Sequence, residues 1–452
     1  MREYPEYKPS NLPWLGDIPS HWAVWKVTHG FNRIGSGTTP KSDNPLFYDG
    51  TIPWITTSEL REDTILDTSQ KVTQEAVALH SALKVYPQGS LAIAMYGATI
   101  GRLGILGMDA TVNQACCVFS EPTVFDTRFV YYWLWMRRPV LISLSTGGGQ
   151  PNLSQDDLKK LWIPIPSIGE QRAIVRFLDH KTAQIDALIA KKQSLLDKLT
   201  EQRLALITQA VTKGLDPTVA TRDAGAAWLG KIPAHWSTSR VKFVAKVGNG
   251  STPSRDNPEY WFDGDFPWLN SSVVNREVVD SADQFVTGVA LKECHLPIIE
   301  PPAVLVGITG QGKTRGMSSK LTFRATINQH LVYVKPYGDS INVDYLHHIF
   351  ERAYAYLRNE SDAGGSTKGA ITCSQIENLA IPLPPLAEQE QIVRFVDGDY
   401  SRISRLQKKV KAALQRLQEY RAALITNAVT GKIDVRDFCI PTTTEQREVA
   451  HG

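Results

Sequence analysis

The 452 residues exceed what one hydrophobic core ordinarily serves, so at least two domains are expected. Hydrophobic residues at 42% and charged residues at 21% are the mix of a folded globular chain and exclude a disordered one. A net charge of +3 excludes a basic nucleic-acid coat, so any grip on phosphates must come from local patches.

No run of about 18 apolar residues marks a membrane span. The start Met1-Arg2-Glu3-Tyr4-Pro5 lacks the charged-then-apolar order of a signal peptide, so a cytoplasmic protein is expected. Cys116, Cys117, Cys294, Cys373 and Cys439 form no Cys-x-x-Cys pair and read as reduced thiols, with neither zinc knuckle nor disulfide framework.

The first element is a strap, Trp14-Leu15-Gly16-Asp17-Ile18-Pro19-Ser20-His21-Trp22, too apolar for a contact surface, which predicts burial of both tryptophans. A glycine turn, Gly35-Ser36-Gly37-Thr38-Thr39-Pro40, leads to Asp43-Asn44-Pro45 and Pro53-Trp54. Ser90 to Met95 reads as a strand, and Tyr96 to Arg102 as a glycine-turned loop. Beyond Ala110-Thr111-Val112-Asn113-Gln114 come a short helix near Tyr131 to Met136 and the tip Gly147-Gly148-Gly149-Gln150. The Pro-rich Ile163-Pro164-Ile165-Pro166 then gives way to a helix from Glu170-Gln171. Along it Ile185, Leu188, Lys192, Leu195, Leu199, Gln202 and Leu206 alternate steps of three and four, which is a heptad seam. About 42 residues, Glu170 to Val211, would span roughly 60 Å at 1.5 Å per residue.

The series is then written again. The strap returns as Trp228 to Trp236, the glycine turn as Gly248-Asn249-Gly250-Ser251-Thr252-Pro253 with Asp256-Asn257-Pro258, and Pro53-Trp54 as Pro267-Trp268. A strand from Ala303 to Val306, the motif Ala325-Thr326-Ile327-Asn328-Gln329 and a helix near Tyr345 to Phe350 keep the order. After Ile381-Pro382-Leu383-Pro384-Pro385 and Glu388-Gln389, a second seam runs through Ile403, Leu406, Val410, Ala413, Leu417, Tyr420 and Leu424. Self-similarity of this kind predicts a duplicated unit, each copy a mixed α/β domain followed by a long helix. The two helices are expected to pair antiparallel, with Ile185, Leu188, Leu195, Leu199 and Leu206 facing Ile403, Leu406, Val410, Leu417 and Leu424.

Several motifs tempt and fail. Gly307-Ile308-Thr309-Gly310-Gln311-Gly312-Lys313-Thr314 matches a phosphate loop, yet no helical apolar stripe follows it. Asp-Asn-Pro at Asp43 and Asp256 only loosely resembles the tetrapeptide of amino-methyltransferases and reads as turn chemistry. His347 and His348 are adjacent rather than at ligand spacing, so no metal, cofactor or catalytic seat is expected.

What remains are loops rich in Ser, Thr, Asn, Gln, Lys and Arg at matching places, the side chains that read phosphates and base edges. The candidate DNA-binding set is Ser36, Thr38, Lys41, Ser58, Thr99, Arg102, Gln150 and Asn152 in the first copy. In the second it is Thr252, Arg255, Ser272, Gln311, Lys313, Arg315 and Lys368. The copies differ most in these loops, which predicts two unlike short target sequences.

Gln150-Pro151-Asn152-Leu153-Ser154 leading to Ile163-Pro164-Ile165-Pro166 and Glu170-Gln171-Arg172, with Pro382-Leu383-Pro384-Pro385-Leu386-Ala387-Glu388-Gln389 in the second half, resembles the specificity subunits of type I restriction-modification enzymes. The likeness covers roughly residues 10 to 435, although the second half has Lys368-Gly369-Ala370-Ile371-Thr372 where the first has the Gln-Pro-Asn pattern. It implies an α+β fold of two target recognition domains separated by an antiparallel coiled coil, with a pseudo-two-fold repeat. The expected segments are 1–165 and 216–385 for the recognition domains, 166–215 and 386–435 for the helical regions, and a tail at 436–452. Also implied are a non-catalytic role on double-stranded DNA and partnership with two adenine methyltransferase subunits and with motor/nuclease subunits. The rival readings are a coiled-coil interaction scaffold, a phosphate-loop nucleotide-binding protein and, closer, a specificity subunit of a modification-only system.

Overall fold

The computed structural model describes residues 2–143, 152–310, 312–363 and 369–440. The chain forms two compact units, Met1–Lys192 with Ala412–Gly452, and Gln193–Lys411. Four helices frame these units: α1 (Thr127–Ser143), α2 (Ile168–Lys213), α3 (Val343–Ala363) and α4 (Leu386–Val429). None of the helices among the described residues is long and apolar enough to cross a membrane.

In the first unit β1 (Phe31–Ser36), β2 (Thr64–Ile65), β3 (Leu91–Ala94), β4 (Leu103–Leu106) and β5 (Cys116–Pro122) make a sheet ordered β1-β5-β3-β4-β2. In the second, β6 (Ala245–Asn249), β7 (Val278–Val279), β8 (Ala303–Gly307), β9 (Ser318–Leu321) and β10 (Leu331–Pro336) repeat that order as β6-β10-β8-β9-β7. Each sheet is antiparallel except for its last pair, which is parallel. A three-stranded sheet accompanies each, centred on Tyr48–Ile55 in one unit and Phe266–Leu269 in the other. The duplication read from the sequence is thus a duplication of topology.

Helix α1 places Phe129, Val130, Trp133 and Leu134 in the core with Leu91 and Ile93 of the sheet, and α3 does the same with Tyr345, Leu346, Ile349 and Phe350. Each such buried side chain contributes about 1.5–3 kcal/mol.

The Glu-Gln pair that opens each long helix closes each unit. Glu170 of α2 accepts hydrogen bonds from the Tyr4 hydroxyl at 2.7 Å and Trp22 Nε1 at 3.0 Å, and His21 Nε2 lies 2.9 Å from its other oxygen. Gln171 accepts from the Asp126 amide, where α1 begins, and donates to the Val124 and Pro166 carbonyls. In the second unit Glu388 meets His235 Nε2 at 2.9 Å, and Gln389 accepts from the Asn342 amide and donates to the Pro384 carbonyl. The other long helix ends at the same clasp. Gly431 follows α4 with φ +72°, and a Cβ there would come within 2.4 Å of Pro19 and 3.2 Å of Trp22. Gly214, with the same φ, ends α2 against Trp236. Only glycine combines that backbone with so close an approach.

Two expectations are corrected. Trp22 and Trp236 are buried, but Trp14 is 40% exposed and Trp228 is half-buried. The Arg137 guanidinium lies 3.7 Å over the Trp14 ring and Tyr356 stacks on Trp228, so one face of each indole is covered while an edge stays in water.

The seam is the second correction. Ile185, Leu199, Ile403, Val410 and Leu424 are buried and Leu206 and Leu417 half-buried, whereas Leu188, Leu195 and Leu406 are exposed. Ile403 and Val410 lie seven apart, Ile185 and Leu199 fourteen apart like Val410 and Leu424, and the exposed Leu188 and Leu195 again seven apart. Each helix thus carries one line of buried and one of exposed apolar residues. Two polar contacts join α2 to α4: Arg421 on Asp186 at 2.9 Å in the first unit, and Gln407 on Thr200 at 3.2 Å in the second.

Replacing Glu170 by Ala strands the buried Tyr4 and Trp22 donors, each costing roughly 1–3 kcal/mol. Thermal unfolding should show a lower Tm for Glu170→Ala, with Glu170→Gln falling between it and the parent. An unchanged Tm in Glu170→Ala would remove the clasp from the stability of the fold.

Candidate nucleic-acid interface

Because β1 and β3 both run antiparallel to β5, the loops after β1 and β3 and the one before β5 leave the same end of the sheet. The loops after β6 and β8 and before β10 do so in the second unit. These ends hold the repeated motifs. Gly37 packs so tightly that a Cβ would lie 1.6 Å from the Val112 carbonyl oxygen, and Gly250 repeats this against Ile327 at 1.7 Å. Trp54 Nε1 donates to the Thr38 carbonyl at 3.2 Å, and Trp268 Nε1 to the Ser251 carbonyl at 3.1 Å. Asn113 and Asn328 fold their side-chain oxygens back onto the amides of Ala115 and His330.

That scaffolding presents two glutamines that the candidate set left out. The Thr39 hydroxyl donates to Gln114 Oε1 at 2.5 Å, and the Thr252 hydroxyl donates to Gln329 Oε1 at 2.5 Å. Both glutamines are exposed, and with the carbonyl oxygen engaged each offers amide N–H groups outward. Beside Gln114 stands Tyr96, whose phenol is raised by partial burial and by the neighbouring Cys116 and lowered in part by the hydrogen bond with Gln114. Beside Gln329 stands His330, its Nε2 3.3 Å from the amide nitrogen and its Nδ1 2.8 Å from the Thr309 hydroxyl. The signal for these residues was the repeated Asn-Gln at the end of a short strand; its value lay in position, which the motif alone did not give.

Of the first-copy candidates, Ser36 and Thr38 are half-buried, Lys41 is exposed, and Thr99 and Arg102 lie on the loop joining β3 to β4, with Arg102 exposed. Asn152 is exposed and bridges to Tyr96 at that same sheet end. Ser58 is exposed on the turn after Tyr48–Ile55, its hydroxyl bonded to Thr56 and Glu59. Burial opposes charge on Glu59, yet hydrogen bonds from Ser69, Thr56 and Ser58 outweigh it and hold the carboxyl below its usual range.

In the second unit Thr252, Arg255 and Lys313 share the sheet end, and Ser272 is exposed on the turn after Phe266–Leu269. Arg255 lies 3.6 Å over the Trp261 ring and donates to Gln284 Oε1 at 2.6 Å, which fixes the guanidinium while leaving the residue exposed. Gln150, Gln311 and Lys368 lie outside the described residues. Arg315 is corrected: it is 5% exposed and its guanidinium pairs with Asp362 at 2.7 Å, so it anchors its loop from within rather than facing a polyanion. The loop itself joins β8 to β9, whose pairing places Val306 opposite Ser318. No helix opens behind Gly307 to Thr314, so the phosphate-loop match lacks the helix N-terminus that would hold a nucleotide.

A family model described as the type I restriction modification DNA specificity domain matches residues 19–198 and again 233–416. The chain is 27% identical over 281 residues to the EcoR124I/EcoR124II specificity subunit of Escherichia coli, an alignment covering 60% of this chain and 62% of that one, less than two thirds of the relative. It is 22% identical to the StySPI specificity subunit of Salmonella potsdam over 92% of this chain and 90% of the relative. A chain from a study of complex assembly and conformational transition of the type I R-M system shares the fold, with a TM-score of 0.70 at 16% identity over 92% of this chain and 99% of that one.

Lys313 and Arg315 therefore separate surface from interior. Arg315→Ala should cost roughly 1–2 kcal/mol in unfolding by denaturant, whereas Lys313→Ala should leave stability unchanged. Equal effects would reverse the assignment.

Proposed function

Because this chain belongs to the type I restriction modification DNA specificity domain family and carries that domain twice, we propose that it is the non-catalytic DNA-reading subunit of a type I restriction-modification complex. It recognises a bipartite site and directs adenine methylation and restriction by partner subunits, in the cytoplasm. The observation that carries this reading is the pair of Thr-Gln latches at one sheet end of each copy, Thr39–Gln114 and Thr252–Gln329, set among loops that differ. Identical latches with unlike neighbours, Tyr96 in one copy and His330 in the other, suit two readers of one design and two half-sites.

The recognition chemistry follows from the amide. A glutamine whose carbonyl is held by a hydroxyl is a donor, suited to guanine N7 and O6, thymine O4, adenine N7 or a phosphate oxygen. Lys41, Arg102, Arg255 and Lys313 supply positive charge beside it, which positions the duplex without reading it. Ser36, Thr38, Ser58, Thr99, Asn152, Thr252 and Ser272 complete the proposed surface, with Gln150, Gln311 and Lys368 assigned to it by sequence position alone.

The finer architecture is part of the proposal. Helices α2 and α4 act as an antiparallel coiled-coil ruler between recognition domains at 1–165 and 216–385, with helical regions at 166–215 and 386–435. Their uncovered line, with Leu188, Leu195, Leu406 and Tyr420 exposed, offers an apolar seat to two adenine methyltransferase subunits, and motor/nuclease subunits join that assembly.

Titration of the methyltransferase-bound chain against duplexes at controlled salt tests this. Gln329→Leu should weaken cognate binding by about 1–3 kcal/mol while sparing non-specific DNA. Lys313→Ala should weaken all duplexes alike and lower the salt slope by about 1. Sequence-independent binding by the parent complex would refute the reading.

A further inference from the structure

Away from the loops, α3 carries a buried group of ligand atoms. His347 and His348 are 1% and 2% exposed, and Glu351 lies one turn further along the same helix. Adjacency in sequence made the histidines look unsuited to a shared ligand, but the helical turn turns both toward one carboxylate. His348 Nδ1 is 3.0 Å from Glu351 Oε2 and His347 Nδ1 is 3.9 Å from the same oxygen. One nitrogen of each histidine and one Glu351 oxygen all lie within 4.8 Å of one another.

The outer nitrogens each face an oxygen, although only that of His347 makes a hydrogen bond. His347 Nε2 faces the Ser318 carbonyl at 3.3 Å, which fixes the proton there and leaves Nδ1 as a bare lone pair. That Nδ1 has no hydrogen-bond partner. Burial pushes the imidazole down to about 4, keeping it neutral. His348 Nε2 faces Asp397 Oδ1 of α4 at 3.3 Å. Imidazoles whose far nitrogen is held by a carbonyl or carboxylate are the ones that serve as metal ligands. A buried lone pair aimed at a carboxylate oxygen is otherwise repulsive and unsatisfied.

Local charge favours a cation. Glu277, Asp344, Glu351 and Asp397 surround the site against Arg203 and Lys320. Arg203 of α2 occupies the other oxygen of Glu351 and lies 4.5 Å over the Tyr400 ring, leaving Oε2 to face the histidines.

The sister copy supplies a comparison. Counted from the residue that each clasp glutamine holds, Asp126 or Asn342, the places of His347, His348 and Glu351 fall on Tyr131, Tyr132 and Trp135. There the fold is pinned by neutral groups, the Tyr131 hydroxyl on the Glu62 carbonyl at 2.8 Å and the Tyr132 hydroxyl on Asp179 at 2.7 Å. The architecture thus does not require histidines at these positions.

We propose that His347 Nδ1, His348 Nδ1 and Glu351 Oε2 bind one divalent transition metal ion of the zinc type, which pins α3 of the second unit between the segments of α2 and α4 that carry Arg203 and Asp397. Imidazole and carboxylate ligands suit zinc and cobalt(II), at roughly 2.0–2.2 Å once the side chains draw in.

The test uses the full chain freed of metal and then given Zn²⁺ or Co²⁺ alone. One equivalent should be retained per chain by elemental analysis, Co²⁺ should show a ligand-field absorption of low symmetry, and Tm should rise with Zn²⁺. His347→Asn should abolish retention, and Asp397→Asn, which leaves all three ligands in place, should weaken it by about 10–100-fold. A folded parent chain that retains neither metal overturns the site. So does retention undiminished in His347→Asn, or in Asp397→Asn should the first variant fail to fold.

Discussion

Everything in each unit hangs on a carboxylate and an amide side by side at the start of a long helix. Glu170 gathers the N-terminal strap through Tyr4, His21 and Trp22, while Gln171 grips the start of α1. Glu388 and Gln389 do the same for His235 and the start of α3. The end of the other long helix meets that clasp through Gly431 in one unit and Gly214 in the other. Strap, domain helix and both long helices therefore meet at one point in each unit, buried around Glu170 and more open around Glu388, where lost hydrogen bonds are costly.

With the frame held there, the opposite demands of the loops can be met. Glycines 37 and 250 lie against backbone carbonyls and the Trp54 and Trp268 indoles tie the turns, so the sheet end is rigid up to the Thr-Gln latch. Beyond the latch the copies diverge, with Tyr96 beside Gln114 in one and His330, bonded to Thr309, beside Gln329 in the other. A rigid frame with variable tips is what reading two unrelated short sequences requires, since base contacts discriminate only when side chains are held in place.

Much of this was legible in the sequence because it was written twice. The glycine turns, one strand and one short helix per copy, and the Glu-Gln junctions recur at matching places, and recurrence separates scaffold from chance. What pattern could not give was depth. Arg315 is two residues from exposed Lys313, yet its partner Asp362 lies far along the chain and draws it inside. Leu188 and Ile185 have equal claims on a heptad seam, but Ile185 is buried and Leu188 exposed. Trp14 reads as core and lies under an arginine instead. His347 and His348 converge on Glu351 only because α3 winds them there. In each case long-range contact decides what local composition leaves open.

The central claim is that two copies of one frame read two unlike half-sites held at a fixed distance. Mapping every modified adenine in DNA methylated by the assembled complex tests it directly. The account predicts one asymmetric motif of two short, different specified blocks separated by a constant run of unspecified bases. A continuous motif, a palindrome, or a spacer of variable length would contradict it.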